Sequence, residues 1–179
     1  MTQQAANPVD DAVNYCKYQA QKGIPSLIAL MQRTGADWQR CITSMSGEQA
    51  EFAPKGEWSA LQVSNHFLEV TAGVNNQIAG LTGGKLPDIE LDEATLAAQG
   101  GARSHGSVAA VSEGMAVLFD EIVALTDSLD GNAKLSTQFP HPLFGQMNIL
   151  EWIAFQRLHA QDHIQQIEKN RADPAFPDA

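Results

Sequence analysis

The stretch from residue 148 to 167 limits the architecture more than any other part of the chain. Ile149, Trp152, Ile153, Gln156, Ala160, Ile164 and Ile167 recur at intervals of three and four, the period of a helix with one packed face. Asn148 and Glu151 have capping-box spacing, Met147 and Trp152 form the matching hydrophobic staple, and Lys169 and Arg171 suit the negative end. A helix of this kind has to bury its apolar stripe against other elements. It also carries two histidines, His163 within the stripe and His159 at its margin. At 100° per residue, an interval of four puts the two imidazoles about 40° apart and roughly 6 Å apart along the axis.

Three more stretches supply partners for that stripe. Asn7-Pro8 followed by Asp10 and Asp11 predicts a capped helix start, and Val13, Cys16, Ala20, Ile24, Leu27 and Met31 continue it towards Thr34-Gly35. Pro25 lies inside this run, so the helix either kinks there or consists of two pieces meeting at Gly23. The second start is the capping box of Ser59 and Gln62, stapled by Trp58 and Val63. Its stripe is Val63, Phe67, Val70, Val74, Ile78 and Leu81, and Thr82-Gly83-Gly84 stops it. The third seam, Val108, Val111, Met115, Leu118, Ile122, Leu125 and Leu129, carries no ionisable residue and reads as core up to Asp130-Gly131.

Between these seams the pattern is looser. Residues 36–57 are irregular, with Trp38 and Ile42 on a helical turn and Pro54-Lys55-Gly56 closing a loop. Residues 85–106 make a long connection, with a short helix over 92–99 and His105 at the loop's end. Prolines on both sides of His141 exclude a helix over 137–145. Four amphipathic segments and no strand pattern predict an all-α four-helix bundle in a single domain, residues 1–179, with a loose tail from about residue 172.

Composition removes several function classes. The 179 residues carry a formal charge of −10, which opposes the phosphate neutralisation that nucleic-acid binding depends on. No apolar run is long enough to span a bilayer, so neither a nucleic acid nor a membrane is an expected partner, and a cytoplasmic location follows. Cys16 and Cys41 are too few for a disulfide framework and form no CxxC, so they read as reduced thiols. Phe155 and Leu158 lie off the inner stripe as exposed apolar positions, which points to a second copy of the chain and a homodimer.

A third histidine belongs to the same argument. His66 is three residues after Val63 and four before Val70, so it faces the packed side of the second segment, and Gly73 on the same flank leaves room beside it. A buried polar group without a partner costs about 1–3 kcal/mol. The three imidazoles therefore need a carboxylate, a carbonyl, water or a divalent metal.

Three short motifs add to this reading. Gly56-Glu57-Trp58-Ser59 leads through Val63 to His66 and Phe67, then comes His141-Pro142-Leu143-Phe144-Gly145, then His159-x-x-x-His163-x-x-Gln166-Ile167. In order and spacing the chain resembles the DinB/YfiT-like metalloenzyme superfamily over nearly its whole length. The resemblance implies an up-down-down-up bundle with a long crossover between the second and third segments. It also implies a divalent metal ion, nickel or zinc, held by His66, His159 and His163. Three imidazoles leave a coordination position open, where an ion activates water or holds a thiolate or carbonyl.

The implied activity is a metal-dependent reaction of a small-molecule substrate: thiol-dependent S-transfer or isomerisation using a low-molecular-weight thiol, or hydrolysis. The alternative is a non-catalytic metal- or ligand-binding stress-response module. Glu69, one turn beyond His66, is a candidate to orient a ligand and equally a solvated residue, and His141 is a candidate for the mouth of the site. Asp162 is turned away from His163 towards water, and no residue outside the three histidines stands out as a general base.

Overall fold

The computed structural model describes residues 7–84, 86 and 106–178. Among them are six helices and one antiparallel hairpin: α1 (Pro8–Gln21), α2 (Ile24–Thr43), α3 (Gly47–Glu51), α4 (Ala60–Thr82), α5 (Val108–Asp127), β1 (Gln138–His141), β2 (Gly145–Asn148) and α6 (Ile149–Arg171). The expected short helix over 92–99, and His105, lie outside the described residues.

The caps read from the sequence are in place. The Asn7 side chain accepts from the Val9 amide, and Ser59 and Asn148 each form a full capping box, with Gln62 and Glu151 respectively. A third box, Ser46 with Gln49, starts α3. Of the two readings at Pro25, the chain takes the break. Gly23 adopts a φ of 80°, open to glycine and strained for other residues, and Pro25 falls in the first turn of α2, where its missing N–H costs nothing.

Two expectations need correction here. The first helical run does not stop at Thr34-Gly35, because α2 continues to Thr43 with Trp38 and Ile42 fully buried. Gly35 is a packing residue: a Cβ there would stand 2.9 Å from Cγ of Phe119, so its absence lets α5 lie close against α2. The chain also has strands. Gln138 pairs with Asn148 and His141 with Gly145, a hairpin too short to show a two-residue period in sequence. Its first strand is fixed to α6 by Trp152, whose ring stacks on Phe139 at 4.4 Å and whose Nε1–H donates to the Phe139 carbonyl at 3.1 Å.

In the resulting bundle, α2 and α4 each pack on both α5 and α6, while α1, redirected at Gly23, packs along α6. The whole predicted stripe of α6 is buried, from Ile149 to Ile167. The start of α4 is tied to the end of α6, where Asn170 donates to the Trp58 carbonyl at 2.7 Å and Lys169 pairs with Glu57 at 2.7 Å. The tail after Arg171 lies against α3, with Phe176 edge-on to Phe52 and Gln49 donating to the Pro177 carbonyl. No described helix is long and apolar enough to cross a membrane.

The seam of α5 does carry an ionisable residue, contrary to expectation. Glu121 is 6% exposed between Leu118 and Leu125. It accepts from Asn75 Nδ2 at 3.0 Å, and Asn75 in turn accepts from Gln156 Nε2 at 3.0 Å, so a buried polar chain links α5, α4 and α6. Burial holds the Glu121 carboxyl above the usual carboxylate range, with the Asn75 hydrogen bond opposing the shift.

Candidate metal centre

The structure brings the three histidines together. His66 projects from α4, and His159 and His163 project from successive turns of α6. Each offers one ring nitrogen, and these atoms all lie within 4.8 Å of one another. The rings of His66 stand 5.5 Å from His159 and 5.3 Å from His163, nearly perpendicular to both. His159 and His163 approach most closely, Nε2 to Nε2, at 2.8 Å. That is hydrogen-bonding distance, with the donor set by which ring carries its hydrogen on Nε2.

Aromatic side chains wall the cluster. Trp58, immediately before the α4 cap, meets His66 edge-on at 5.1 Å, and Phe67 lies 5.3 Å from His159. Phe155 stacks on the His159 ring at 5.5 Å and 13°. Trp38, from the part of α2 beyond Gly35, closes the side of His163. Phe155 is thus half-buried against the site, not an exposed position. Leu158 is half-buried too, and lines an open groove of about 540 Å³ between the start of α1 and α6, with Val9, Tyr15, Phe144 and Asp162. The two positions expected to be exposed are therefore partly covered by the bundle.

The electrostatics favour neutral rings. Burial, reinforced by the neighbouring His163, His66 and His141, pushes the His159 pKa down to about 3. Burial also lowers His163, with the Gln166 hydrogen bond opposing it and His66 adding to it, and lowers His66, with the Glu69 charge opposing it. At neutral pH all three rings therefore keep a lone pair for an electrophile. A set of three neutral imidazoles suits a borderline divalent ion.

The other candidates are placed differently. Glu69 acts on His66 through its charge and is not one of the converging ligand groups. His141 sits one aromatic ring away, 4.5 Å from Phe155 and stacked on Phe144 at 4.4 Å. Its Nδ1 accepts the backbone N–H groups of Leu143 and Phe144, both at 3.1 Å, so it closes the hairpin turn. Gly73 is exposed and a Cβ there would meet nothing within 4 Å, so the cluster does not pack against it. Asp162 is exposed, as read. Cys16 and Cys41 are buried, and each thiol is pushed up to about 12: Cys16 by burial and then Glu151, Cys41 by burial and then Glu168. Neither is a thiolate nucleophile at neutral pH.

Sequence reasoning missed the contact of Gln166, whose Oε1 lies 3.2 Å from His163 Nδ1. An interval of three on one helix was the available signal. It also missed the aromatic wall, because Trp38 was placed in an irregular stretch and Phe155 on the outer surface.

Among solved structures, the chain is similar to YfiT from Bacillus subtilis, described as a probable metal-dependent hydrolase with an unusual four-helix bundle topology. The likeness has a TM-score of 0.54 at 18% identity and covers 96% of this chain and 91% of that one, a similarity of fold. No curated protein matches the sequence. The sequence profile of the DinB superfamily matches residues 15–167, which takes in all three histidines, and the chain belongs to that superfamily.

Proposed function

We propose that this protein is a metal-dependent enzyme acting on a small molecule, with His66, His159 and His163 holding one divalent cation, nickel or zinc. The observation that carries the reading is the convergence of three ring nitrogens within 4.8 Å, from two different helices, with burial keeping the rings neutral. When bound, the ion supplies Lewis acidity at an open coordination position. The protein's own residues do the rest. The two helices hold the imidazoles in register, Trp58, Phe67 and Phe155 exclude water from their flanks, and His141 lies near enough to His159 to add to its electrostatic environment.

Both a hydrolase, the description given to YfiT, and a transferase or isomerase using a low-molecular-weight thiol fit such a site. The chain's thiols are buried and protonated, so any reacting thiol comes from a second substrate. The likeness to a four-helix bundle of unusual topology supports the up-down-down-up order in one domain. A homodimer in the cytoplasm remains part of the proposal.

Metal analysis of protein purified without a metal-binding tag tests the reading. One equivalent of nickel or zinc is expected in the parent and almost none in His159→Ala. A parent that neither contains nor takes up a divalent ion would end it. Screening the loaded protein with thiols and electrophiles, and with hydrolysable esters and amides, then separates transfer from hydrolysis.

A further inference from the structure

The hydrogen bonds around the cluster run in one direction, and this assigns a role to a residue outside the three ligands. We propose that Gln166 is a positioning residue that holds His163 with its proton on Nδ1, so that His163 presents a bare Nε2 and His159 is the ring that must change tautomer when an ion is bound. The inference rests on the metal-binding reading above.

The argument begins at Gln166. Its Oε1 lies 3.2 Å from His163 Nδ1, and a carboxamide oxygen can only accept, so Nδ1 carries the hydrogen. In a neutral imidazole the other nitrogen is then a lone pair. That nitrogen, Nε2, stands 2.8 Å from His159 Nε2. Without a cation, the hydrogen between the two rings therefore belongs to His159, which donates to His163. The sequence of bonds is His159 Nε2–H to His163 Nε2, and His163 Nδ1–H to Gln166 Oε1.

The two rings consequently meet an ion in different ways. His163 needs no rearrangement. His159 has its hydrogen on the nitrogen that faces the cluster, and that hydrogen has to move to Nδ1 before Nε2 can ligate. Both tautomers are neutral, so loading requires no net gain or loss of a proton by the pair. His159 is clamped between Phe155 and Phe67, and its Nδ1 has no hydrogen-bond acceptor among the described residues. Ligating histidines ordinarily give their second N–H to an oriented acceptor, and loss of such a partner lowers metal affinity about 10–100-fold. His163 has that support from Gln166, and His159 is held by stacking alone.

The experiment is nitrogen-15 NMR of the histidine rings in chelator-treated full-length protein, repeated after one equivalent of zinc. Before zinc, His163 should be protonated at Nδ1 and His159 at Nε2. After zinc, His159 should be protonated at Nδ1 and His163 unchanged. Gln166→Leu should lower zinc affinity about 10-fold or more, with little change in the melting temperature of the zinc-free protein. Gln166→Glu, which keeps an acceptor, should restore the His163 tautomer and the affinity.

A His163 protonated at Nε2 in the zinc-free parent overturns the proposal. So does a Leu variant with parental tautomers and affinity, or a Glu variant as weak as the Leu variant. Failure of the parent to bind zinc sinks the metal reading and the ligand-switching half of this one. In that case the zinc-free tautomers still decide whether Gln166 sets His163.

Discussion

Two polar clusters share α4 and α6, one of them reaching α5 as well, and they differ in what they leave undone. In the Asn75, Glu121 and Gln156 chain, each contact sets a donor against an acceptor, and all three side chains are under 10% exposed. Among the described residues its loose end is Gln156 Oε1. In the histidine cluster, three half-buried rings bring ring nitrogens within 4.8 Å of one another, and among the described residues no carboxylate or thiol joins that group. Pairing within a polar chain specifies which helices meet. Convergence of like groups creates a demand that an outside partner must satisfy. The contrast separates a polar group that builds the bundle from one that the bundle exists to present.

The sharpest way to break this comparison is His159→Ala. Zinc at about 100 times its Kd should stabilise the parent by about 2.7 kcal/mol and the variant by nothing measurable, as read by urea unfolding with and without metal. Equal stabilisation of both would mean that the histidines are no more a ligand site than the amide chain is. Next in size is Asn75→Leu, which strands Glu121 and Gln156 together in the interior. It should cost on the order of 3 kcal/mol in zinc-free protein and leave zinc affinity within about twofold. A large loss of zinc affinity would show that the two clusters act as one.

Glu121→Gln probes the same chain through pH. The folded carboxyl takes up its proton at a higher pH than the unfolded value of 4.5, so above that value the folded state binds more protons than the unfolded one. The contribution of Glu121 to stability is therefore fully present below pH 4.5 and lost as pH rises through the folded pKa. Gln keeps a hydrogen-bonding group without this titration, so the variant should lose that decline. An unchanged pH profile would refute the raised pKa. The smallest effect belongs to Lys169→Ala, which removes the exposed pair with Glu57 beside the start of α4. It should cost about 0.5 kcal/mol or less and leave zinc binding untouched.

Much of this was legible because the informative signals are local. The capping boxes at Ser59 and Asn148, the apolar seams and the interval from His159 to His163 depend on helix geometry alone. What escaped depends on contacts distant in sequence. Thr34-Gly35 looks like a helix stop until Phe119 is known to press against Gly35. Glu121 looks like a surface charge until Asn75 is known to face it. The β1–β2 hairpin is four residues a side and held by Trp152, so its own pattern is too short to declare it. The grouping of His66 with the α6 pair came from the family motifs and not from spacing, since spacing within one helix says nothing about the rotation of another.

The capping boxes have one more consequence, for how the site tolerates change. His66 stands seven residues beyond Ser59, and His159 and His163 stand eleven and fifteen beyond Asn148. Each cap pins the first turn, so it serves as the zero mark from which its histidines are counted. One residue inserted between mark and ligand would swing the ring by about 100° and advance it about 1.5 Å. The same insertion ahead of the mark is absorbed by the loop. Length variation is thus partitioned: the connections can drift while two short rulers keep their graduations.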